Sequence, residues 1–137
     1  MVPYDKSEPA THAFEYAIDL AEKYSSSVSV ITCISIQAPT DLYFGTAYIE
    51  TTRLLKEDAM KSILALESQL KKLKTPYKID VLEVRSITDS LVSYAESHGV
   101  DLIVMGSRGF GGFKKLLIGS VASGVSQHAK CPVLIIK

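Results

Sequence analysis

The stretch Val104-Met-Gly-Ser-Arg-Gly-Phe-Gly-Gly-Phe-Lys-Lys-Leu-Leu-Ile-Gly-Ser-Val-Ala-Ser123 decides the architecture. Its leading residues close the apolar run Asp101-Leu-Ile-Val-Met105, and its last ones open a helix of small residues near Ser120. Five of the chain's eight glycines lie inside it, at 106, 109, 111, 112 and 119. Glycine costs conformational entropy in ordered structure and is tolerated where the backbone turns sharply or must approach a ligand. A buried strand, a glycine-rich turn and a helix start, in that order, form one unit of a parallel α/β sheet. The free N–H groups and the dipole of such a helix start attract anions. The expectation is a phosphate cradle.

The rest of the chain repeats that alternation. Met1 to Asp5 reads as a short strand, with Ser7 as helix cap and Pro9 in the first turn that follows. Ala10, Ala13, Phe14, Ala17, Ile18, Ala21 and Tyr24 recur at helical spacing, and Ser25 to Ser27 end the run. Val28 to Ile36 is β-branched and apolar, as expected of a strand covered on both faces. After a loop over Gln37 to Gly45, a long helix is expected to about Lys74, with Ile49, Thr52, Leu55, Ala59, Ile63, Leu66, Leu70 and Leu73 on its buried stripe. Tyr77 to Val84 is the third strand, with Ile79, Val81 and Leu82 inward. A third helix follows, capped by Ser86 or Thr88 and stopped by Gly99. Ser120 to about Lys130 and Pro132 to Ile136 supply the last helix and strand. Five strands alternating with helices predict one α/β domain over 1–137, an open parallel sheet with helices on both faces.

Composition excludes several function classes. Fifteen basic residues balance fifteen acidic ones, so no electrostatic footprint for nucleic acid is expected. No apolar run reaches the roughly 20 residues of a membrane span, and the N-terminus lacks the layout of a signal peptide. Cys33 and Cys131 sit in apolar contexts and read as reduced thiols of a cytoplasmic protein. His12, His98 and His128 lack metal-ligand spacing, so no metal site is expected.

In open α/β sheets, ligands bind beyond the carboxyl ends of the strands where the strand order reverses. Pro3-Tyr-Asp5 and Gly106-Ser-Arg108-Gly109 occupy two such ends. A P-loop would need Gly-Lys-Ser/Thr after four intervening residues, but Gly111 is followed by Gly112 and Phe113. A dinucleotide fingerprint would need glycines where Asp5-Lys-Ser-Glu stands. The spacing that is present, Gly106-x2-Gly109-x9-Gly119-Ser120, arises by chance in about one chain of this length in a hundred or two. A carboxylate such as Asp5 accepts from a ribose hydroxyl or an exocyclic amine. Arg108 can donate two parallel bonds to a phosphate.

With these residues in place, the chain resembles the universal stress protein family, in its ATP-binding branch. Val2-Pro-Tyr-Asp5-Lys-Ser7, Asp101 to Gly109, Gly119-Ser-Val-Ala122 and Cys131-Pro-Val-Leu134 carry the resemblance. It implies an adenine nucleotide alpha-hydrolase-like fold with strand order 3-2-1-4-5, which sets strands one and four side by side at the reversal. It also implies that Asp5 and the backbone near Pro3 hold adenine or ribose, and that Cys33, with Ile34 as the alternative, lines the adenine pocket. Met105 and Gly106 would contact the nucleoside. Arg108, Gly109, Gly119, Ser120 and Val121 would surround the phosphates of ATP, with or without Mg²⁺. A homodimer through Val133 to Ile136 is implied as well.

The chain departs from the family pattern at a short first strand, at Lys6 where a small residue is common, and at Arg85 to Thr88 before the third helix. Two other functions stay open at this point. One is a slow ATPase or phosphoryl transferase using the same site, for which no residue that would orient a nucleophile is evident. The other is a protein-interaction module with an AMP-type, ADP-type or empty pocket. Lys114 and Lys115 read as solvated loop charges, and Phe110 and Phe113 as loop anchors.

Overall fold

The computed structural model describes residues 1–36, 45–109 and 117–137. The expected positions of Phe110, Gly111, Gly112, Phe113, Lys114 and Lys115, and the loop over 37–44, lie outside the described residues. In chain order the elements are β1 (Val2–Pro3), α1 (Glu8–Tyr24), β2 (Val28–Ser35), α2 (Gly45–Leu64), α3 (Glu67–Leu70), β3 (Tyr77–Val84), α4 (Ile87–Ser97), β4 (Ile103–Gly106), α5 (Ser120–His128) and β5 (Val133–Ile136).

All strand pairs are parallel. β2 lies between β1 and β3, in register from Val2 opposite Val30 and from Val28 opposite Tyr77. β4 pairs with β5 from Ile103 opposite Val133 to Gly106 opposite Ile136. The expected continuous five-stranded ladder is instead two hydrogen-bonded sheets, β1-β2-β3 and β4-β5. Met1 joins them: its nitrogen donates to the Leu102 carbonyl at 2.8 Å, and its carbonyl accepts from the Val104 N–H at 2.9 Å. Met1 thus sets β1 beside β4, but the expected order 3-2-1-4-5 is not one ladder: the hydrogen-bonded orders are β1-β2-β3 and β4-β5, and the seam between them is one residue long. In a central parallel strand, successive residues bond alternately to the two neighbours. Tyr4 N–H donates to Ile31 on the β2 side at 2.8 Å. Pro3 is thus next in turn to bond toward β4, and it has no N–H to give.

Two cores follow from the alternation of each strand. Val2, Val28, Val30 and Val104 face one side of the sheet and pack with Ala13, Phe14 and Ala17 of α1 and with Ile63, Leu66 and Leu70. Ile31, Ile103 and Met105 face the other side, against Leu91, Tyr94 and Ala95 of α4 and Ala122 and Val125 of α5. Ser7 caps α1 by accepting from the Ala10 N–H, and Ser86, rather than Thr88, caps α4 by accepting from Asp89. Gly99 takes φ +60°, the left-handed turn its position after α4 predicts.

The long second helix is shorter than expected and broken. It ends at Leu64, and Leu66 N–H bonds back three residues to Ile63 before the single turn of α3. The buried stripe is narrower too: Ala59, Ile63, Leu66, Leu70 and Leu73 are buried, but Ile49 and Leu55 are exposed. At about 100° per residue, Ile49 and Leu55 project roughly 40° to opposite sides of the Ile63 and Ala59 directions, which places them on the flanks. Tyr24, at the end of the α1 stripe, is also exposed. Ile79, Val81 and Leu82 are half-buried, and the buried residue of β3 is Val84, because β3 is the edge of its sheet.

Candidate functional site

The crevice at the carboxyl ends of β1 and β4 holds a cavity of about 470 Å³. Each wall follows from local chemistry. Between β1 and α1 the chain has only Tyr4 to Ser7 in which to turn, and Lys6 takes φ +69° there. This is the left-handed region that a residue with a Cβ enters at a cost of about 1–2 kcal/mol. The turn is held by Asp5, whose Oδ1 accepts from the Ser7 N–H at 3.1 Å and from the Ser7 hydroxyl at 2.6 Å. Lys6 Nζ forms an exposed ion pair with Asp58 of α2.

The opposite wall is the glycine segment. Its two described ends are tied together, with Gly119 N–H donating to the Ser107 carbonyl at 2.7 Å and Ser107 N–H donating to Ile136 at 2.6 Å. That closure brings Gly106, Arg108 and Gly109 alongside the start of α5. Gly119, not Ser120, is the N-cap, and it offers no side-chain acceptor. Ser120 is the first helical residue. Among the described residues, no side chain caps the first-turn N–H groups of α5, the kind of donors a helix start offers to an anion.

All ten residues singled out from the sequence line this one cavity: Pro3, Asp5, Cys33, Met105, Gly106, Arg108, Gly109, Gly119, Ser120 and Val121. Ile34, the alternative to Cys33, is buried and absent from the lining, because it points to the other face of β2. Six further residues contribute that sequence reasoning passed over. They are Tyr4, Ala10, Ile31, Ile87, Leu91 and Ala122. Strand period marks Ile31, two residues before Cys33 on the same face. The spacing marks Ile87 and Leu91, one turn apart at the start of α4, only as inward-facing helix positions; that they reach the cavity follows from the packing of α4 on the sheet.

The floor is apolar, and burial pushes the Cys33 thiol up to about 11. The group is therefore a neutral wall at ordinary pH and not a thiolate. Among the described residues, Asp5 and Arg108 are the only Asp, Glu, Lys, Arg or His side chains in the lining. No group of three or more His, Cys, Asp or Glu could hold a metal ion among the described residues. The arrangement offers an apolar slot between β2, β4 and α4, one fixed carboxylate, one guanidinium, and backbone donors at a helix start.

Universal stress protein Sll1388 of Synechocystis is 30% identical over 149 aligned residues, covering 100% of this chain and 96% of its own. The structure of universal stress protein UspA from Lactobacillus plantarum superimposes with a TM-score of 0.91 at 22% identity, covering 99% of this chain and 94% of that one. Two other similar structures hold ligands. One is the universal stress protein from Archaeoglobus fulgidus in complex with dAMP, with a TM-score of 0.69, 21% identity and 98% and 92% coverage. The other is a universal stress protein in complex with cAMP, with a TM-score of 0.71, 20% identity and 99% and 94% coverage. The sequence model of the universal stress protein family matches residues 1–137, and the chain is a member of that family.

Proposed function

We propose that the chain binds an adenine nucleotide, ATP in preference to ADP or AMP, in the β1–β4 crevice, and serves as a stress-response or signalling module. One observation carries the reading: the carboxylate of Asp5, the apolar slot and the uncapped start of α5 line the same cavity. In this reading the base lies against Cys33 and Met105, Asp5 meets the ribose or the adenine edge, and the phosphates rest on Gly109, Gly119, Ser120 and Val121 with Arg108 beside them. Solved family members with dAMP and cAMP support the ligand class. Mg²⁺ would arrive on the triphosphate, held by phosphate oxygens and water, with the Ser120 hydroxyl as the side-chain oxygen at hand.

The protein is read as a holder of nucleotide rather than a catalyst. Among the described residues, the lining contains no His, Glu or Lys to orient an attacking water, and Asp5 is engaged by Ser7. We place the protein in the cytoplasm, in keeping with two free thiols and no described helix long and apolar enough to cross a membrane. Isothermal titration with ATP, with and without Mg²⁺, is expected to give one site per chain. Absence of heat in both titrations, together with no nucleotide released on denaturing the purified protein, would overturn the reading.

A further inference from the structure

Ser7 was expected to cap α1, and one lone pair of its hydroxyl does so by accepting from Ala10 N–H at 3.3 Å. The same oxygen has two other neighbours that a cap does not need. Its proton points to Asp5 Oδ1 at 2.6 Å, and the Arg108 carbonyl lies at 3.2 Å as a second, longer acceptor. Ser7 is only 9% exposed, so water competes weakly for these bonds. Three segments thus meet at one hydroxyl: the turn after β1, the start of α1, and the glycine segment a hundred residues downstream.

We infer that Ser7 is a positioning residue of the nucleotide site, setting the rotamer of Asp5 and tying it to the backbone that carries Gly109. This deepens the nucleotide-binding reading above and rests on it. The Ser7 N–H and hydroxyl both donate to Oδ1 and chelate it, which turns Oδ2 toward Gly109. A Cβ on Gly109 would sit 2.3 Å from Oδ2. The carboxylate and the glycine backbone are therefore packed as one surface, and a small rotation of Asp5 reshapes the cavity wall between base and phosphates. Without the hydroxyl, Oδ1 keeps one backbone donor, and Arg108 loses its tie to α1.

The test separates this role from capping. Glycine is nearly as good an N-cap as serine, so Ser7→Gly removes the hydroxyl while leaving α1 in place, as a thermal melt would verify. Ser7→Gly is expected to weaken ATP binding on the order of tenfold, and Ser7→Thr to restore it. In an Asp5→Ala background, Ser7→Gly should cause a clearly smaller loss, because only the tie to the Arg108 carbonyl is then left to remove. Wild-type affinity in Ser7→Gly, or the same fold-loss with and without Asp5, overturns the inference. If Ser7→Gly melts too low to titrate, Ser7→Asn, which keeps the acceptor for Ala10, takes its place with the same expectations. A wild-type protein that takes no nucleotide sinks the nucleotide reading separately. The amide resonance of Gly109 in the free protein then decides the positioning role: Ser7→Gly must shift it and Ser7→Thr must return it.

Discussion

A Cβ on Gly106 would stand 2.7 Å from the Ala10 nitrogen and from the Pro9 carbonyl carbon, whereas one on Gly119 would meet nothing nearer than 3.4 Å among the described residues. The two glycines therefore answer to different demands. Gly106 lets β4 approach the first turn of α1, so Gly106→Ala should cost about 1–3 kcal/mol in urea unfolding by forcing backbone apart. Gly119 has room for a side chain, so its glycine reads as space kept for a ligand. Gly119→Val is expected to melt like the wild type and to weaken ATP binding at least about tenfold; equal affinity would show that the phosphates lie elsewhere. Neither glycine has positive φ; among the described glycines Gly99 alone does so. Cys33 adds a pH prediction. Its thiol is raised from 9.0 to about 11 in the fold, so the unfolded chain loses the proton first. The stability from the neutral thiol is full below pH 9 and falls as pH rises toward 11. Cys33→Ala should flatten that slope in thermal melts, and iodoacetamide should label Cys33 far more slowly at pH 8 than near pH 11.

Elements were legible where pattern and cap agreed. α1 starts where Ser7 caps it and α4 where Ser86, one of two expected caps, does, because a side-chain cap is local chemistry that a sequence displays directly; α5 opens at Ser120 as expected, but after a glycine cap with no side chain to announce it. The α2–α3 segment was misread because apolar residues at three- and four-residue spacing look alike whether or not a sheet lies beneath them. The buried half can be told from the exposed half by mutation. Leu70, 0% exposed, should lose about 2–5 kcal/mol as Leu70→Ala. Leu55→Ala should stay within about 0.5 kcal/mol in the same unfolding assay. A large loss at Leu55 would mean that the flank of α2 is covered after all. β1 shows the reverse case. Its brevity was visible, but the consequence was not, since the break in the sheet depends on which neighbour Pro3 faces.

At the scale of the whole molecule, β5 is the edge of the β4-β5 sheet, with Leu134 partly exposed on it. If copies of the chain pair there, as the family resemblance implies, Leu134→Lys should convert a dimer to a monomer in sedimentation velocity. ATP affinity should be unaltered, because the cavity is built within one chain. A wild type that sediments as a monomer would remove that interface from the proposal. By itself, the sequence determined the order of strands and helices, the apolar faces of β2 and β4, and the glycines and carboxylate that line the cavity. These follow from periodicity, capping and the absence of a Cβ, all properties of short stretches. Only the tertiary structure decided that the ladder divides at Pro3, that Ile87 and Leu91 close the slot, and that Ser7 joins Asp5 to Arg108. Those outcomes depend on contacts between residues far apart in the chain, whose geometry is set by how the helices pack on the sheet and leaves no local signature.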